Sequence, residues 1–180
     1  MRRRTLLGAV AALGVSGCTS VPLATMWKLR SFSADDFFAL DPNLLRAAVR
    51  TDARAGFNAV DINISVVPKG GEASNHAIRL QQAVAADAGL EPAPAGRRWY
   101  VFALGSEGVK VFDAVRAQVA IIRKVPGSSL RIGVSAQESS VPPDIAKALP
   151  MRLDLLMNPK DGWFTMVSER RIDTTQPAKH

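Results

Sequence analysis

The amino-terminal segment divides this chain into a short leader and one long remainder. Residues 2–4 are arginines, and residues 5–16 carry no charge before the pair Gly17-Cys18. A basic start, a short apolar run and a small-residue cleavage site are typical of a secretory signal peptide. The run is too short to cross a bilayer, which takes about 20 apolar residues. We therefore expect residues 1–17 to be removed and the remainder to form the folded protein.

The residues around the expected cleavage site suggest a covalent anchor. Val15-Ser16-Gly17-Cys18 resembles the lipobox of bacterial lipoproteins, and Cys18 is the single cysteine of the chain. The resemblance implies cleavage between Gly17 and Cys18, diacylation of the Cys18 sulfur and acylation of the new amino group. Two or more acyl chains bind a membrane stably, whereas one binds only marginally. The alternative is an ordinary signal peptide in which Cys18 has no role.

Two further features concern location and export. Thr19 stands where an aspartate favours inner-membrane retention in lipoproteins, so the resemblance predicts the periplasmic face of the outer membrane. Arg3-Arg4-Thr5-Leu6-Leu7 also resembles a twin-arginine export signal, with an ordinary basic start for general secretion as the alternative. The sequence leaves the two export routes open.

Charge and cysteine content limit the partners and the source of stability. The net charge is +7, and residues 2–4 contribute three of the positive charges, so the remainder is mildly basic. Nucleic-acid binding favours a basic stripe with aromatic platforms, which the scattered lysines and arginines do not form. We expect no nucleic-acid partner. With its one cysteine used as an anchor, the chain forms no disulfide, and its fold rests on a hydrophobic core.

Turn-forming and polar residues divide the exported chain into three parts. Residues 18–31 form the lipidated cysteine and a short tether, residues 32–172 form a single soluble domain, and residues 173–180 form a flexible tail. This length suffices for one domain with its own core.

Short helices are expected near the start of the domain. One follows Ser33, with the pair Asp35-Asp36 as an acidic first turn rather than as metal ligands. Another occupies residues 42–51, because Asp41 suits an N-cap and Pro42 suits the first helical position.

The strongest helical pattern occupies residues 106–124. Its apolar residues recur at steps of three and four and form one face, as in a helix packed on a core. Ser106 is the expected cap. The stretch Gly105-Ser106-Glu107-Gly108 has some similarity to a nucleophile elbow, but a helix start explains it better.

Alternating apolar and polar residues predict about six strands in a mostly antiparallel sheet, so the fold class is α+β. The order strand, helix, strand over residues 98–136 leaves one parallel crossover possible, and a helix is the alternative for residues 78–84. The predicted strands are residues 60–66, 78–84, 99–104, 130–134, 151–157 and 163–168.

Few residues are candidates for catalysis or metal binding. His76 is the one histidine away from the carboxyl terminus, and zinc-binding patterns of histidine and cysteine are absent from the sequence. We therefore expect no catalytic residue, no metal and no cofactor. Among the carboxylates Asp154 has the most apolar neighbours in sequence, and we expect it to face outward from an alternating strand.

Three functions remain open. The leading hypothesis is a non-enzymatic binding or assembly module of the cell envelope, with a protein partner. The second is a small-ligand carrier or sensor with an apolar pocket between sheet and helix. The third is an envelope hydrolase with a carboxylate pair. The residues expected to line a pocket are Trp99, Tyr100, Trp163 and Phe164.

Overall fold

The computed structural model describes residues 34–83 and 89–175. Cys18, the tether and Ser33 lie outside these ranges. The described chain forms two α-helices, one short 3₁₀ helix and seven strands. In chain order they are α1 (Ala34–Ala39), β1 (Arg46–Asp52), β2 (Gly56–Val67), β3 (Ser74–Gln82), β4 (Arg97–Leu104), α2 (Ser106–Ile122), β5 (Ser129–Ser140), the 3₁₀ helix (Ala146–Ala148), β6 (Leu149–Leu156) and β7 (Phe164–Ile172).

The seven strands form one curled sheet in the order β5-β2-β3-β4-β1-β6-β7. Each pair of neighbours is antiparallel. The predicted, mostly antiparallel sheet is present, with seven strands instead of about six. The described chain is mainly β with one long helix, which agrees roughly with the predicted α+β class. The possible parallel crossover is not formed among the described strands, because β5 pairs with β2 and not with β4.

The segment predicted as a helix over residues 42–51 is instead the strand β1, and that prediction is wrong. Asp41 caps a turn, where its carboxylate accepts a hydrogen bond from the backbone N–H of Asn43 at 2.9 Å. Residues 47–51 are all buried, since β4 and β6 flank the strand and both of its faces are covered. Burial on both faces removes the alternation that identifies a strand, and the apolar spacing then imitates a helix.

Helix α2 covers the inner face of the sheet. Phe112, Val115 and Val119 are its fully buried apolar side chains, which confirms the predicted helix and its core-facing side. Gly105 occupies the N-cap position, and no side chain caps the helix, so the prediction that Ser106 is the cap is wrong. The sheet residues of this core include Val49, Val60, Ile62, Ile64, Ile78, Leu80, Tyr100, Phe102, Leu153 and Leu155.

The short helix α1 is confirmed and packs on α2. The rings of Phe37 and Phe112 are stacked with centroids 4.9 Å apart. The Asp35 carboxylate accepts a hydrogen bond of 3.0 Å from Arg123, just beyond the end of α2. The guanidinium of Arg123 also lies 4.7 Å from the ring centroid of Phe38. The described chain therefore begins beside the carboxyl end of α2.

The carboxyl-terminal hairpin of β6 and β7 forms as predicted. Beyond β7, within the segment predicted as a flexible tail, the backbone N–H of Thr174 donates a hydrogen bond of 2.8 Å to the carbonyl of Ala146. Residues 176–180 lie outside the described chain.

The ring contact between α1 and α2 gives a prediction for stability. Phe112→Ala should lower the free energy of unfolding by about 3–5 kcal/mol, because it removes a buried aromatic side chain and leaves a cavity against Phe37. Val111→Ala, at a neighbouring side chain that is 37% exposed, should change it by less than about 0.5 kcal/mol. Denaturant unfolding followed by circular dichroism measures both. Equal losses in the two variants would show that α1 and α2 do not share a tight core.

Candidate functional site

The outer face of the central strands carries a group of charged residues that the sequence analysis did not identify as a site. Arg50 on β1 is the register partner of Trp99 on β4 and of Arg152 on β6. Val49 faces the core, so its neighbour Arg50 faces the opposite side of the sheet. We name the following set the outer-face cluster: Arg50, Glu91, Arg97, Trp99, Arg152, Asp154 and Glu169.

Glu91 connects the loop of residues 89–96 to the cluster. Its Oε1 atom accepts hydrogen bonds from the Nη1 atoms of Arg50 and Arg152, both at 2.5 Å. Its backbone carbonyl accepts a hydrogen bond of 2.9 Å from Nε1 of Trp99. The Trp99 ring lies 5.3 Å from one guanidinium and 5.6 Å from the other. These contacts fasten the loop onto the sheet.

Asp154 lies on the outer side of the sheet, as predicted, between the core residues Leu153 and Leu155. It is only 2% exposed, whereas an outward carboxylate on an alternating strand is expected to meet solvent. Arg152 causes the burial, since its Nε and Nη2 atoms donate hydrogen bonds of 2.8 Å to the two carboxylate oxygens. Both oxygens of Asp154 are thus occupied by a guanidinium.

Arg50 is the most enclosed cation of the cluster, with a side chain that is 10% exposed. Its Nη2 atom donates a hydrogen bond of 2.9 Å to Glu169, and Arg97 lies 3.7 Å from the other oxygen of Glu169. Three arginines thus face three carboxylates. The Nε atom of Arg50 has no hydrogen-bond partner within the described chain. Because the charges balance, the arginines are better suited to stabilising the fold through ion pairs than to binding an external anion.

The electrostatics of Glu91 do not suit acid catalysis. The charge of Arg152 and the hydrogen bond from Arg50 lower the pKa of Glu91 from its ordinary value of 4.5. A general acid in glycoside hydrolysis needs the opposite shift, toward the working pH. The cluster therefore gives no support to the hypothesis of a hydrolase that uses this carboxylate.

The four aromatic residues expected to line a pocket between sheet and helix do not converge there. Trp99 lies on the outer face, whereas the next residue, Tyr100, packs in the core near Phe57 and donates a hydrogen bond to the carbonyl of Ala55. Neighbouring residues of a strand point to opposite faces, which separates this pair. Trp163 lies beside Gly89 of the loop, and Phe164 packs against the core.

A surface hollow of about 690 Å³ lies at the edge of the outer-face cluster. This volume falls within the range of small-molecule sites, about 300–1,000 Å³. The hollow lies between strand β4 and the loop of residues 89–96, and no residue of α2 lines it. Its lining residues are Gln82, Ala83, Leu90, Glu91, Pro92, Ala93, Arg97, Arg98, Trp99, Tyr100 and Val101.

His76 lies on β3 and connects that strand to α2. Its Nε2 atom is 3.0 Å from Oε1 of Gln118 and 3.4 Å from Oγ of Ser74. Ser74 itself donates a hydrogen bond of 3.0 Å to Gln118. In a catalytic triad the nucleophile contacts one ring nitrogen of the histidine and the orienting group contacts the other, whereas Ser74 and Gln118 both contact Nε2 of His76. In residues 34–83 and 89–175, no group of three histidine, cysteine or acidic side chains could hold a metal.

Strand β5 forms one edge of the sheet over 12 residues. Its register with β2 runs without interruption from Ser129 to Gln137, and it contains no proline. Natural edge strands are usually protected by short length, charge, proline or bulges. Over residues 129–137 the strand has one charged residue, Arg131. Its inner row is partly exposed at Leu130, Ile132, Val134 and Ala136.

Strand β7, at the other edge, is better protected. Its register with β6 shifts twice, at Leu153 and its neighbours, and it carries the charged run Glu169-Arg170-Arg171. The β5 edge is therefore the more accessible of the two edges for pairing with an added strand.

Comparison with known proteins gives no further assignment: no family model, no curated protein and no solved structure matches this chain. Across the described residues, no helix combines the length and the apolar character needed to span a membrane.

The ion pairs of Glu91 predict a pH-dependent contribution to stability. Because the folded-state pKa of Glu91 is lowered, its contribution is present above 4.5 and is lost as the pH falls through the folded-state pKa. Glu91→Gln should therefore lower the denaturant midpoint at neutral pH, and the difference from wild type should shrink as the pH falls below 4.5, the ordinary pKa of this carboxyl group. Glu138→Gln, at an exposed glutamate outside the cluster, is the matched control. A pH-independent difference for Glu91→Gln would contradict the assigned ion pairs.

Proposed function

We propose that this protein is a lipid-anchored component of a bacterial cell envelope and that its domain is a non-enzymatic binding or assembly module. The observation that carries the proposal is Val15-Ser16-Gly17-Cys18 after a basic, apolar leader. Acyl chains on Cys18 attach the protein to the membrane, at the periplasmic face of the outer membrane. Residues 19–33 connect this anchor to α1, the first described element.

The β5 edge supports a protein partner. Unpaired backbone N–H and C=O groups along a regular edge can accept an extended segment as an added strand. The partly exposed row of Leu130, Ile132 and Val134 would then gain apolar cover from the partner's side chains. The partner that fits this surface is an envelope protein that offers an extended segment with alternating apolar residues.

A second candidate function is the binding of a small ligand in the surface hollow. Its volume of about 690 Å³ and its lining by Trp99 and by Arg98, which lies outside the outer-face cluster, favour a ligand with a flat apolar part and a negative group. This candidate replaces the pocket that was expected between sheet and helix.

The anchor predicts a specific effect of removing the Cys18 sulfur. Cys18→Ala should abolish incorporation of radiolabelled palmitate and leave the leader attached, because the thioether acyl chains cannot form. Ser20→Ala, two residues further on, should leave both processing and labelling unchanged. The measurement is electrophoretic mobility together with palmitate labelling in the native host. Wild-type protein that is processed but carries no acyl label would refute the lipid anchor.

The partner surface predicts a position-dependent crosslink. A photo-crosslinking amino acid at Ser135 on β5 should give one reproducible adduct with an envelope protein in intact cells, whereas the same group at the exposed Val111 on α2 should not. Mass spectrometry identifies the adduct. Adducts of equal yield and identity from both positions would count against a binding edge at β5.

A further inference from the structure

Two exposed apolar side chains lie together at the carboxyl end of α2. Ile121 is 70% exposed, and Val125, in the turn that follows, is 43% exposed. The backbone of this turn continues the helix, since the N–H of Val125 donates a hydrogen bond of 2.9 Å to the carbonyl of Ile122. Exposed apolar groups that cluster at one end of a domain often mark a contact surface.

Basic residues surround this apolar pair. Lys124 lies between the two side chains in sequence, and Lys69 is brought to the same end of the molecule by the β2–β3 loop. The backbone N–H of Lys69 donates a hydrogen bond of 3.1 Å to Ser128, and its side-chain stem lies next to Gly127. We name Lys69, Ile121, Arg123, Lys124 and Val125 the basic tip.

The charges of the basic tip are largely available to a partner. Neither Lys69 nor Lys124 forms an ion pair within the part of the chain that the structure describes. Arg123 is paired with Asp35, whose side chain is itself exposed. Glu72, exposed in the same loop as Lys69, is the one acidic residue of that loop.

The chain that leads to the anchor joins the domain at this end. The ion pair between Arg123 and Asp35 places the start of α1 at the basic tip. Residues 19–33 precede α1, contain Lys28 and Arg30, and contain no acidic residue. Even fully extended they span at most about 50 Å, at about 3.3–3.6 Å per residue. The tip is therefore the described surface from which the chain runs to Cys18.

We propose that the basic tip lies on the anionic phospholipid surface of the membrane that holds Cys18, an inference that rests on the proposed lipid anchor. The apolar side chains of Ile121 and Val125 enter the interface, and the three cations contact lipid phosphates. Strand β5 begins at Ser129, directly after the tip, and its 12 residues extend about 40 Å from it. This contact would orient the domain so that strand β5, with its unpaired edge, extends away from the bilayer.

The test uses the full lipidated protein in vesicles of phosphatidylcholine with phosphatidylglycerol. Ala117→Cys places a fluorescent label one turn before Ile121 and leaves the basic tip intact, while acylation protects Cys18 from the label. Lipids with brominated acyl chains should quench this label. A label at Glu138→Cys, near the far end of β5, should not be quenched.

Variants of the tip separate lipid contact from simple nearness to the anchor. In the Ala117→Cys background, Ile121→Ser with Val125→Ser should reduce the ratio of bound to unbound tip roughly tenfold, as two apolar side chains leave the interface. Val111→Ser, at an exposed apolar position elsewhere on α2, should have no effect. Replacing phosphatidylglycerol with phosphatidylcholine should also weaken the quenching.

The outcomes distinguish the tip from the anchor. Protein that remains with the vesicles but shows no quenching at position 117 would overturn the tip contact and leave the anchor standing. Fluorescent labelling at Cys18 of the wild-type chain would refute the anchor itself. The labels of neighbouring proteins could also quench one another as protein density on the vesicle rises. If this occurred without quenching by brominated lipid, a second copy would lie on the tip, and lipid contact would be overturned.

Discussion

The requirement to cover both faces of the central strands dominates this structure. A single long helix, α2, packs its apolar side chains on the inner face at β2, β3 and β4. Strand β1 is nevertheless buried on its outer face too, where Arg50 and Arg152 meet the carboxylates of Glu91 and Asp154. Enclosed charges are tolerated only when they are paired and hydrogen-bonded. The loop of residues 89–96 is therefore an integral part of the sheet's outer layer, because it supplies one carboxylate to two arginines.

This arrangement has a consequence for function. The enclosed carboxylates are committed to arginines, and the pKa of Glu91 is lowered instead of raised. The outer-face cluster thus stabilises the fold, whereas the β5 edge and the basic tip are the surfaces suited to binding a partner and a membrane. The proposed assembly module would thus offer the β5 edge to a partner and would be held at a membrane near Ser129, where β5 begins. In the proposed arrangement, a lipid anchor would limit diffusion to the membrane surface, and the β5 edge would supply main-chain hydrogen bonds to a partner.

Local sequence patterns predicted most of the elements but not the group at the outer face. Helix α2 was recognised from apolar residues at helical spacing, and β2 from the alternation of Val60, Ile62 and Ile64, because each buries one face. The residues of strand β1 predict a helix instead, because both faces of the strand are buried and the alternation is lost. The contact of Glu91 with Arg50 and Arg152 joins residues distant in sequence. It depends on strand order, which local periodicity does not encode. The one sequence feature that hints at the outer-face cluster is the recurrence of arginines within the strands.

The most direct test of the lipid anchor is the mass of the amino-terminal peptide from protein extracted with detergent from its native membrane. If Cys18 carries the anchor, the peptide begins with Cys18 and has the added mass of a diacylglyceryl group, with or without a third acyl chain. A peptide that begins at another residue, or one in which Cys18 has a free thiol, would contradict the anchor. The proposed membrane contact of the basic tip would then lose its basis. The β5 edge would need a partner that does not depend on a membrane anchor.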